Sequence, residues 1–281
     1  MSHSQSSNVV AIDFGATNTD VVANIDGELR YWMLPSARHD HEQRIHAALI
    51  AGKLQPSDVR GIVITGGDRR GLQSHIDGIP IVMVNEMEAI GRGGLALARL
   101  EAAAVVSAGS GTAVVSARDE ACQHITGTGV GGGTLQGLAK LLIGTSEPEQ
   151  IDILACHGVP TGVNVTIGEI VGEAIGGLPP DTTAVNFGKL ASQGFQPRAE
   201  DIAAGLVNMV GQVIAVVAIN AARSQGHKHI VVIGHLADLE SVRTTLIQVG
   251  GYYNMPVIIP ERRGFATALG ALISSEGIRK T

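Results

Sequence analysis

A carboxylate at the end of an apolar run is the first feature of this sequence that could do chemistry. Asp13 follows the apolar residues 9–12, and the residues after it are small or carry polar groups: Gly15, Ala16, Thr17, Asn18 and Thr19. An acidic residue at a strand end can hold Mg²⁺, usually through water, and small residues let backbone amides approach phosphate oxygens. The pattern indicates a phosphate-binding hairpin, although an ordinary hairpin with turn residues would have the same composition.

A second hairpin of the same kind follows in the middle of the chain. Gly109, Ser110 and Gly111 lie between two apolar runs, residues 103–107 and 112–116. Two opposed phosphate hairpins can clamp the two ends of a triphosphate chain, so the pair is stronger evidence than either hairpin alone. The repetition also indicates two similar α/β halves around a cleft.

The most glycine-rich segment, residues 126–137, comes just before a predicted helix. Its candidate nucleotide-binding residues are Gly131, Gly132, Gly133, Thr134 and Gln136. Unpaired amides and the helix dipole make the start of a helix favourable for an anion. The segment lacks the Gly-Lys-Ser/Thr of a Walker A loop and the βαβ unit of a Rossmann fingerprint. It therefore indicates another kind of nucleotide loop, or else a structural glycine turn.

Glu86 is the candidate for acid–base chemistry. It comes just after the predicted strand 80–84, where the clefts of α/β folds open. Phosphoryl transfer needs a carboxylate near the attacking hydroxyl, to orient it and to accept its proton. Glu86 or Glu88 could equally cap the helix that follows, and the residues alone leave these two roles open.

Apolar runs and helical spacing place these residues in a two-part α/β chain. Strands are predicted at residues 9–13, 20–25, 28–34, 61–65, 80–84, 103–107, 112–116, 229–233 and 257–260, and helices at 41–54, 88–100, 134–143, 201–224 and 264–274. We expect residues 1–100 to form an N-terminal half with the catalytic carboxylate. Residues 101–281 would form a C-terminal half with the glycine-rich nucleotide loop.

The composition argues against several classes of protein. The 281 residues carry a formal net charge of -6 and no block of Lys or Arg, so we do not expect a nucleic-acid partner. Two cysteines, Cys122 and Cys156, are too few for a disulfide framework and fit a reducing cytoplasm. No apolar run reaches the roughly 18 residues that cross a bilayer. We therefore expect a soluble cytoplasmic protein with no membrane partner.

Taken together, these residues resemble the type II pantothenate kinases, the fumble-like branch of the actin-like ATPase superfamily. The resemblance extends over residues 9–272. Its most specific stretches are residues 127–137, 183–188 and 264–271. The other positions that match in order and spacing are Asp13, Gly66, Gly67, Glu86 and the turn 109–111.

The resemblance implies a fold of two ribonuclease H-like halves around a nucleotide cleft, with ATP between them. It also implies transfer of the γ-phosphate of ATP to the primary hydroxyl of pantothenate. The product would be 4'-phosphopantothenate, formed in the first step of coenzyme A biosynthesis. Glu86 would be the catalytic base, and Asp13 would position Mg²⁺ through water.

Further residues and a partner follow from the same resemblance. Gly234 and His235 would join the nucleotide-binding residues, while His124 and Thr126 would face the acceptor substrate. The family usually forms homodimers through a long helix, which corresponds here to residues 201–224.

Four positions depart from the family pattern. Asp20 replaces a lysine, His124 an arginine, Pro148 an aromatic residue and His235 a small hydroxyl residue. Asp20 places a negative charge beside a polyanion, and a histidine cannot offer the bidentate fork of arginine to the acceptor. The acceptor therefore stays open. The alternatives are a kinase of another small hydroxy acid or polyol, and a nucleotide-binding homologue without kinase activity.

Overall fold

The computed structural model describes residues 8–36, 40–67, 71–119, 121–192 and 194–278, with side chains up to residue 275. The chain divides into two compact units. Unit 1 contains Met1–Val105, Val115–His124 and Pro260–Thr281, and unit 2 contains Val106–Val114 and Ile125–Ile259. The chain passes between the units several times, and the division into residues 1–100 and 101–281 stays a prediction.

Unit 1 is built on a six-stranded sheet with the strand order β3-β2-β1-β4-β6-β5. Its strands are β1 (Val9–Phe14), β2 (Asn18–Ile25), β3 (Glu28–Pro35), β4 (Gly61–Thr65), β5 (His75–Ile76) and β6 (Ile79–Met83). The first three strands form an antiparallel meander, whereas β4 pairs in parallel with both β1 and β6. The turn at Asp26 and Gly27 has φ values of 52° and 90°, and such positive values match the twist of a hairpin.

Helices cover both faces of this sheet, so its central strands are apolar on both sides. On one face, α1 (His41–Ala51) buries Ile45 and Leu49 against Ile12 and Ile64. On the other face, α2 (Glu86–Ala98) and α8 (Ala266–Ile278) pack together and bury small residues against Ala11, Val22 and Val63. Residues of β1 alternate between these two cores.

The second sheet has five strands in the order β13-β12-β7-β8-β9. They are β7 (Ala102–Ala108), β8 (Thr112–Arg118), β9 (Ala121–Thr128), β12 (Ile230–Ile233) and β13 (Val257–Ile258). Three consecutive strands form one side of this sheet, and strands from later in the chain extend it beside β7. The first sheet has the same arrangement around β1, so the predicted repetition of two similar α/β halves is confirmed.

The described part of unit 2 also contains five α-helices. They are α3 (Gly132–Ile143), α4 (Pro148–His157), α5 (Ile167–Val171), α6 (Ala199–Ser224) and α7 (Glu240–Tyr252). Two short strands, β10 (Val165–Thr166) and β11 (Thr183–Val185), pair with each other. Single 3₁₀ turns lie at Pro56–Asp58, Pro160–Gly162, Gly188–Ala191, His235–Asp238 and Arg263–Phe265.

The prediction that no apolar run is long enough to cross a bilayer is wrong for the 26-residue helix α6, which is long and apolar enough by length and composition alone. Leu206, Val210 and Ile214 on this helix are nevertheless fully or almost fully buried inside the protein. α6 contacts α3, α4 and α7 along its length. We conclude that its apolar composition reflects its place in the core of unit 2.

Most predicted strands and helices are confirmed, within a few residues at their ends. The sequence pattern misses β9, because this strand is mostly exposed and ends among glycines, without the alternation of a half-buried strand. It also misses α7, in which Thr244, Thr245 and two glycines weaken the helical signal. Cys122 and Cys156 are both free thiols, the first partly buried and the second exposed.

Candidate functional site

The first hairpin places Asp13 among polar neighbours at the end of β1. Asp13 pairs with Asp20 on the antiparallel strand β2 and with Thr65 on the parallel strand β4. Paired residues on adjacent strands lie on the same face of a sheet. Asp13, Asp20 and Thr65 therefore form a polar group at the end of the face that α2 and α8 cover.

Gly66 allows a close approach between the loop after β4 and the Asp13 carboxylate. Its backbone has a φ of 71°, which favours glycine. A Cβ atom at Gly66 would overlap Oδ1 of Asp13, and a Cβ at Gly67 would lie 2.7 Å from the carbonyl oxygen of Phe14. Gly66 thus leaves room for the carboxylate, and Gly67 leaves room for the backbone of Phe14.

Two side chains anchor this hairpin from the opposite face and from the end of β3. The Arg44 guanidinium lies 3.9 Å from the centroid of the Phe14 ring and donates to Oγ1 of Thr19 at 3.4 Å. The hydroxyl of Ser36 donates to the carbonyl oxygen of Gly15 at 2.6 Å. Burial lowers the pKa of Arg44, and the Asp13 carboxylate opposes this shift. Sequence reasoning missed both anchors, because they come from outside the hairpin.

The tip of the hairpin is exposed between its anchors. Ala16 and Thr17 are exposed, and Gly15 and Asn18 are partly exposed. The predicted phosphate-binding residues therefore present an accessible turn of backbone, fixed at its base.

Glu86 is the first residue of α2, directly after the end of β6. The adjoining Val84 amide donates to the carbonyl of Ile64 at 2.9 Å, which ties the start of the helix to β4. Asn85 caps the helix, because its side chain accepts from the Met87 amide at 2.8 Å. Glu88 instead pairs with Arg92 at 3.2 Å.

The cap at Asn85 bears on the two roles that the sequence left open for Glu86. Glu86 is half-buried, and within the part of the chain that the structure describes no hydrogen bond or ion pair holds its carboxylate. Its side chain is not needed as the helix cap, so it is available for chemistry.

In unit 2, the turn at residues 109–111 is stacked against the start of α3. The Gly132 amide donates to the carbonyl of Gly109 at 2.8 Å, and the Gly133 amide donates to the carbonyl of Ser110 at 3.0 Å. A Cβ atom at Gly131 would lie 2.7 Å from the carbonyl oxygen of Ser110 and 2.8 Å from Cα of Gly111. The glycines of α3 therefore allow two backbone segments to touch.

This packing corrects the predicted role of the α3 amides. The sequence predicts that residues 131–136 offer their unpaired amides to a nucleotide. The amides of Gly132 and Gly133 are already bonded to carbonyl groups, and the Gly131 amide donates to Oγ1 of Thr134 at 3.3 Å. These glycines fix the shape of the turn instead, and whether they contact a nucleotide stays a prediction.

The remaining predicted residues lie on β9 and after β12. His124 and Thr126 are two residues apart on β9 and so lie on one face of that strand, His124 exposed and Thr126 half-buried. His235 follows Gly234, and its Nδ1 lies 2.7 Å from Oδ2 of Asp238. The pair orients the imidazole, a contact that the sequence did not indicate.

The predicted residues divide between the two units. Unit 1 contains Asp13, Gly15, Ala16, Thr17, Asn18, Thr19, Glu86 and His124, and unit 2 contains Ser110, Gly111, Thr126, Gly131, Gly132, Gly133, Thr134, Gln136, Gly234 and His235. Within unit 1 the structure brings the hairpin and the end of β4 together, and within unit 2 it brings the turn 109–111 and α3 together.

The stretch 183–188 lies over a buried amide network in unit 2. Asn164 is fully buried, accepts from the Phe187 amide at 2.8 Å and donates to Oγ1 of Thr183 at 3.1 Å. Lys189 pairs with Glu169 at 2.7 Å. These contacts give the stretch a structural role, since they fix its backbone.

The fold defines the class of protein first. The chain is an α/β protein of the actin-like ATPase and sugar kinase fold. An activator of the 2-hydroxyisocaproyl-CoA dehydratase from Clostridium difficile, with bound ADPNP, matches with a TM-score of 0.66 and 15% identity over 98% of each chain. A ROK hexokinase from Thermus thermophilus matches with a TM-score of 0.57 and 14% identity, over 95% of this chain and 98% of the hexokinase.

The sequence comparisons then define the family. The Fumble family model matches residues 103–274, and the chain belongs to the Fumble family. A type II pantothenate kinase of Bacillus cereus is 28% identical over 271 residues, 94% of this chain and 97% of that enzyme. A second one, from Bacillus thuringiensis subsp. konkukian, is 30% identical over 76% of this chain and 80% of its own length. The predicted resemblance is confirmed.

Proposed function

We propose that this protein is a type II pantothenate kinase, which transfers the γ-phosphoryl group of ATP to the primary hydroxyl of pantothenate. The product is 4'-phosphopantothenate, in the first step of coenzyme A biosynthesis. The observation that carries the proposal is the match to an enzyme of this name over 94% of the chain and 97% of that enzyme. The position of Glu86 supports it, because the reaction needs an available carboxylate, and among the described residues nothing forms a hydrogen bond or ion pair with this half-buried one.

Glu86 is the proposed catalytic base. It accepts the proton of the attacking hydroxyl and so makes the oxygen a better nucleophile as the phosphoryl group moves. Asn85 and the bond between Val84 and Ile64 fix the position of the carboxylate relative to β4. A base that is fixed in this way loses little entropy when the substrate binds.

The phosphates of ATP are proposed to bind to backbone that the two hairpins provide. Residues 15–18 offer an accessible turn, and Thr19 at its base is buried, where its hydroxyl accepts from Arg44. Ser36 holds the carbonyl of Gly15. Any contact of Thr19 with a phosphate would therefore come from its backbone. Ser110, Gly111, Thr134 and Gln136 would line the second site, and Gly234 and His235 would contact the nucleotide. In this second site the stacked glycines supply the shape, because their own amides are already bonded.

The residues around Asp13 fit a magnesium ion. The Asp13 carboxylate lies over the backbone of Gly66, where a Cβ atom would displace it, and the buried hydroxyl of Thr65 has no hydrogen-bond partner among the described residues. Oxygen ligands of this kind suit Mg²⁺, which often binds through one or two carboxylates and substrate phosphates. When bound, the ion neutralises charge on the phosphates, and Asp13 would hold it through water.

The acceptor is proposed to bind beside His124 and Thr126. Both lie on one face of β9, so a hydroxy acid could reach the imidazole and the hydroxyl together. Imidazole carries only part of a positive charge at neutral pH. We therefore expect weaker binding of the pantothenate carboxylate than an arginine would give.

We further propose a cytoplasmic homodimer with contacts along the outer side of α6. Met209, Val213, Val216 and Val217 are apolar residues of this helix that stay partly exposed. Light scattering should give the mass of a dimer for the wild type and of a monomer for Val213→Glu. The change Asn220→Asp on the same helix is the control and should leave the dimer intact. A wild-type monomer would refute this part of the proposal.

The activity is tested by incubating the purified protein with Mg-ATP and pantothenate. We expect ADP release that depends on pantothenate, together with a phosphorylated product in the mass spectrum. Glu86→Gln should lower both signals by at least about 100-fold. ADP release is then measured with a panel of other hydroxy acids and polyols, to identify which acceptor the protein phosphorylates. ADP release with one of them and none with pantothenate would overturn the assignment of substrate, and none with any acceptor would overturn the assignment as a kinase.

A further inference from the structure

The hairpin of β1 and β2, which is proposed to bind phosphates, carries no positive charge of its own. Residues 9–25 contain two aspartates, Asp13 and Asp20, and no Lys, Arg or His. A nucleotide brings several further negative charges to this hairpin, and like charges repel each other. Binding at the turn therefore needs positive charge from another part of the chain as well as from solution.

Arg44 on α1 brings such a charge to the base of the turn. Phe14 and Thr19 form the last cross-strand pair before residues 15–18. The guanidinium contacts both of them, because it lies 3.9 Å from the centroid of the Phe14 ring and donates to Oγ1 of Thr19 at 3.4 Å. No residue of the turn is more than two positions from Phe14 or Thr19. A phosphate group on this turn would therefore lie close to the guanidinium.

The protein neutralises this cation incompletely. Among the described residues no carboxylate forms an ion pair with Arg44, and its buried Nε has no hydrogen-bond partner there. Burial lowers the pKa of Arg44, and the charge of Asp13 opposes this shift. An arginine nevertheless stays protonated at neutral pH, and charges that are partly removed from water act on each other more strongly than charges in bulk water. An anion at the turn would therefore be attracted to it.

We propose that Arg44 is a positioning residue for the nucleotide, whose guanidinium attracts the phosphate groups to the turn 15–18. The proposal rests on the nucleotide binding that the proposed function assigns to this turn. The guanidinium acts on the phosphates and not on the nucleoside, so its effect should increase with the number of phosphates. Its charge also distinguishes it from Ser36, which holds the same turn through a neutral hydrogen bond.

The experiment measures the affinity of the full chain for AMP, ADP and ATP by calorimetry, with Mg²⁺ and without an acceptor. Arg44→Gln should bind ATP about tenfold more weakly than the wild type does and AMP within about twofold, as expected for one charge interaction at the phosphates. Arg44→Lys keeps the charge and should recover most of the ATP affinity. The control is Arg30→Gln, which removes an exposed positive charge from β3 and should bind all three nucleotides as the wild type does.

Salt separates the charge of Arg44 from its role in fixing the turn. The loss of ATP affinity in Arg44→Gln should shrink when the salt concentration is raised to about 1 M, because salt screens charges. Ser36→Ala removes the neutral anchor of the same turn, so its loss should be the same at low and at high salt. Thermal unfolding of each variant shows that it is folded.

Three results with folded variants would overturn the inference: equal ATP affinities for wild type and Arg44→Gln, equal losses in Arg44→Gln and Arg44→Lys, or a loss in Arg44→Gln that salt leaves unchanged. If Arg44→Gln does not fold, Arg44→Lys decides, since an ATP affinity within about threefold of the wild type supports the role of the charge and a larger loss overturns it. No ATP binding by the wild type would overturn it as well. None of these measurements uses an acceptor, so ATP binding that depends on Arg44, without phosphorylation of any acceptor, would refute only the proposed kinase activity.

Discussion

The hairpin at the end of β1 and the turn at the end of β7 occupy the same place in two sheets of similar strand order, yet they are built differently. In unit 1 the turn carries Asp13 and Asp20, and the side chains of Ser36 and Arg44 fix its base. In unit 2 residues 107–112 contain no charged side chain, and backbone amides of α3 hold the turn.

The difference shows that one topology can produce two kinds of turn suited to phosphate. The turn in unit 1 is distinguished by charge, since Asp13 and Asp20 lie at its ends and Glu86 follows another strand of the same sheet. The turn in unit 2 depends on shape, because three glycines allow two backbone segments to stack. We therefore expect substitutions in unit 1 to change catalysis more than stability, and substitutions in unit 2 to change both.

The largest effect is expected at Glu86. Glu86→Gln should lower kcat by about 10²- to 10⁴-fold, the usual contribution of a general base, because the amide cannot accept the proton. The unfolding temperature should stay close to that of the wild type, since no described contact holds this carboxylate. Steady-state ADP release and thermal unfolding measure the two quantities.

Glu88→Gln is the matched control for Glu86, on the same turn of α2. It removes a partly exposed i,i+4 ion pair with Arg92, and helix pairs of this type contribute about 0.3–0.5 kcal/mol. We expect its kcat to stay near the wild-type value. An equal loss of kcat in both variants would mean that the start of α2, and not one carboxylate, is needed.

The next largest effect is expected at the stacked glycines of unit 2. Gly131→Ala places a Cβ atom 2.7 Å from the Ser110 carbonyl oxygen, so the turn and α3 must separate. We expect a loss of about 1–3 kcal/mol in the free energy of unfolding, as for other overpacked positions, and an increase in the KM for ATP. Denaturant unfolding and ATP titration of the initial rate provide the measurements.

Gly137→Ala provides the opposite result in the same helix. A Cβ atom there would meet nothing within 4 Å, and alanine is preferred over glycine in a helix by about 0.5–1 kcal/mol. This variant should be more stable than the wild type. If Gly131→Ala were as stable as Gly137→Ala, the close packing of the turn 109–111 against α3 would not contribute to the free energy of unfolding.

A smaller effect should distinguish the anchors of the two turns. Ser36→Ala removes the 2.6 Å hydrogen bond to Gly15 and a longer, 3.4 Å contact with the Thr19 hydroxyl, and Thr112→Val removes the 2.8 Å hydrogen bond to Val130. Each should lower the free energy of unfolding by about 1 kcal/mol. Ser36→Ala should also raise the KM for ATP by about fivefold, which corresponds to about 1 kcal/mol.

Thr112→Val should leave the KM for ATP within about twofold of the wild type, because backbone hydrogen bonds of 2.8 and 3.0 Å still hold the turn in unit 2. ATP titrations of both variants test this difference. An equal change in KM would show that the two turns do not differ in what fixes them.

The smallest effect concerns the acid stability of unit 2. The hydrogen bond from Lys189, followed by that from the Thr166 amide, lowers the pKa of Glu169 below its ordinary value of 4.5. A lowered pKa contributes stability at pH values above 4.5, and this contribution disappears as the pH falls through the folded-state pKa. The difference in unfolding temperature between wild type and Glu169→Gln should thus be constant from neutral pH down to about pH 5 and shrink below it.

Glu173→Gln is the control for Glu169, because Glu173 is an exposed residue nearby in the same unit. Its unfolding temperature should follow that of the wild type at every pH. A difference between wild type and Glu169→Gln that persists undiminished at pH 3 would contradict the assigned ion pair.

The sequence predicts the local parts of the site well. Strand ends followed by glycine and threonine identify the turns at Asp13 and Gly109, because turn chemistry is read from neighbouring residues. Asn85 just before a helix is also a readable cap signal, and this signal favours the catalytic role of Glu86 over the capping role. By contrast, Ser36 lies 21 residues from Gly15, and Arg44 lies 25 residues from Thr19. No local pattern connects such residues.

The residues themselves determined which chemistry this protein can carry: carboxylates at strand ends, glycine-rich turns and one glutamate after a strand, in the order of a known family. They determined the two similar halves as well, because apolar periodicity and turns are local properties. Only the tertiary structure decided that Asp13, Asp20 and Thr65 share one face, and that the amides of Gly132 and Gly133 are bonded to the turn 109–111. Strand register and loop stacking depend on contacts between distant residues, and these contacts exist only after the chain has folded.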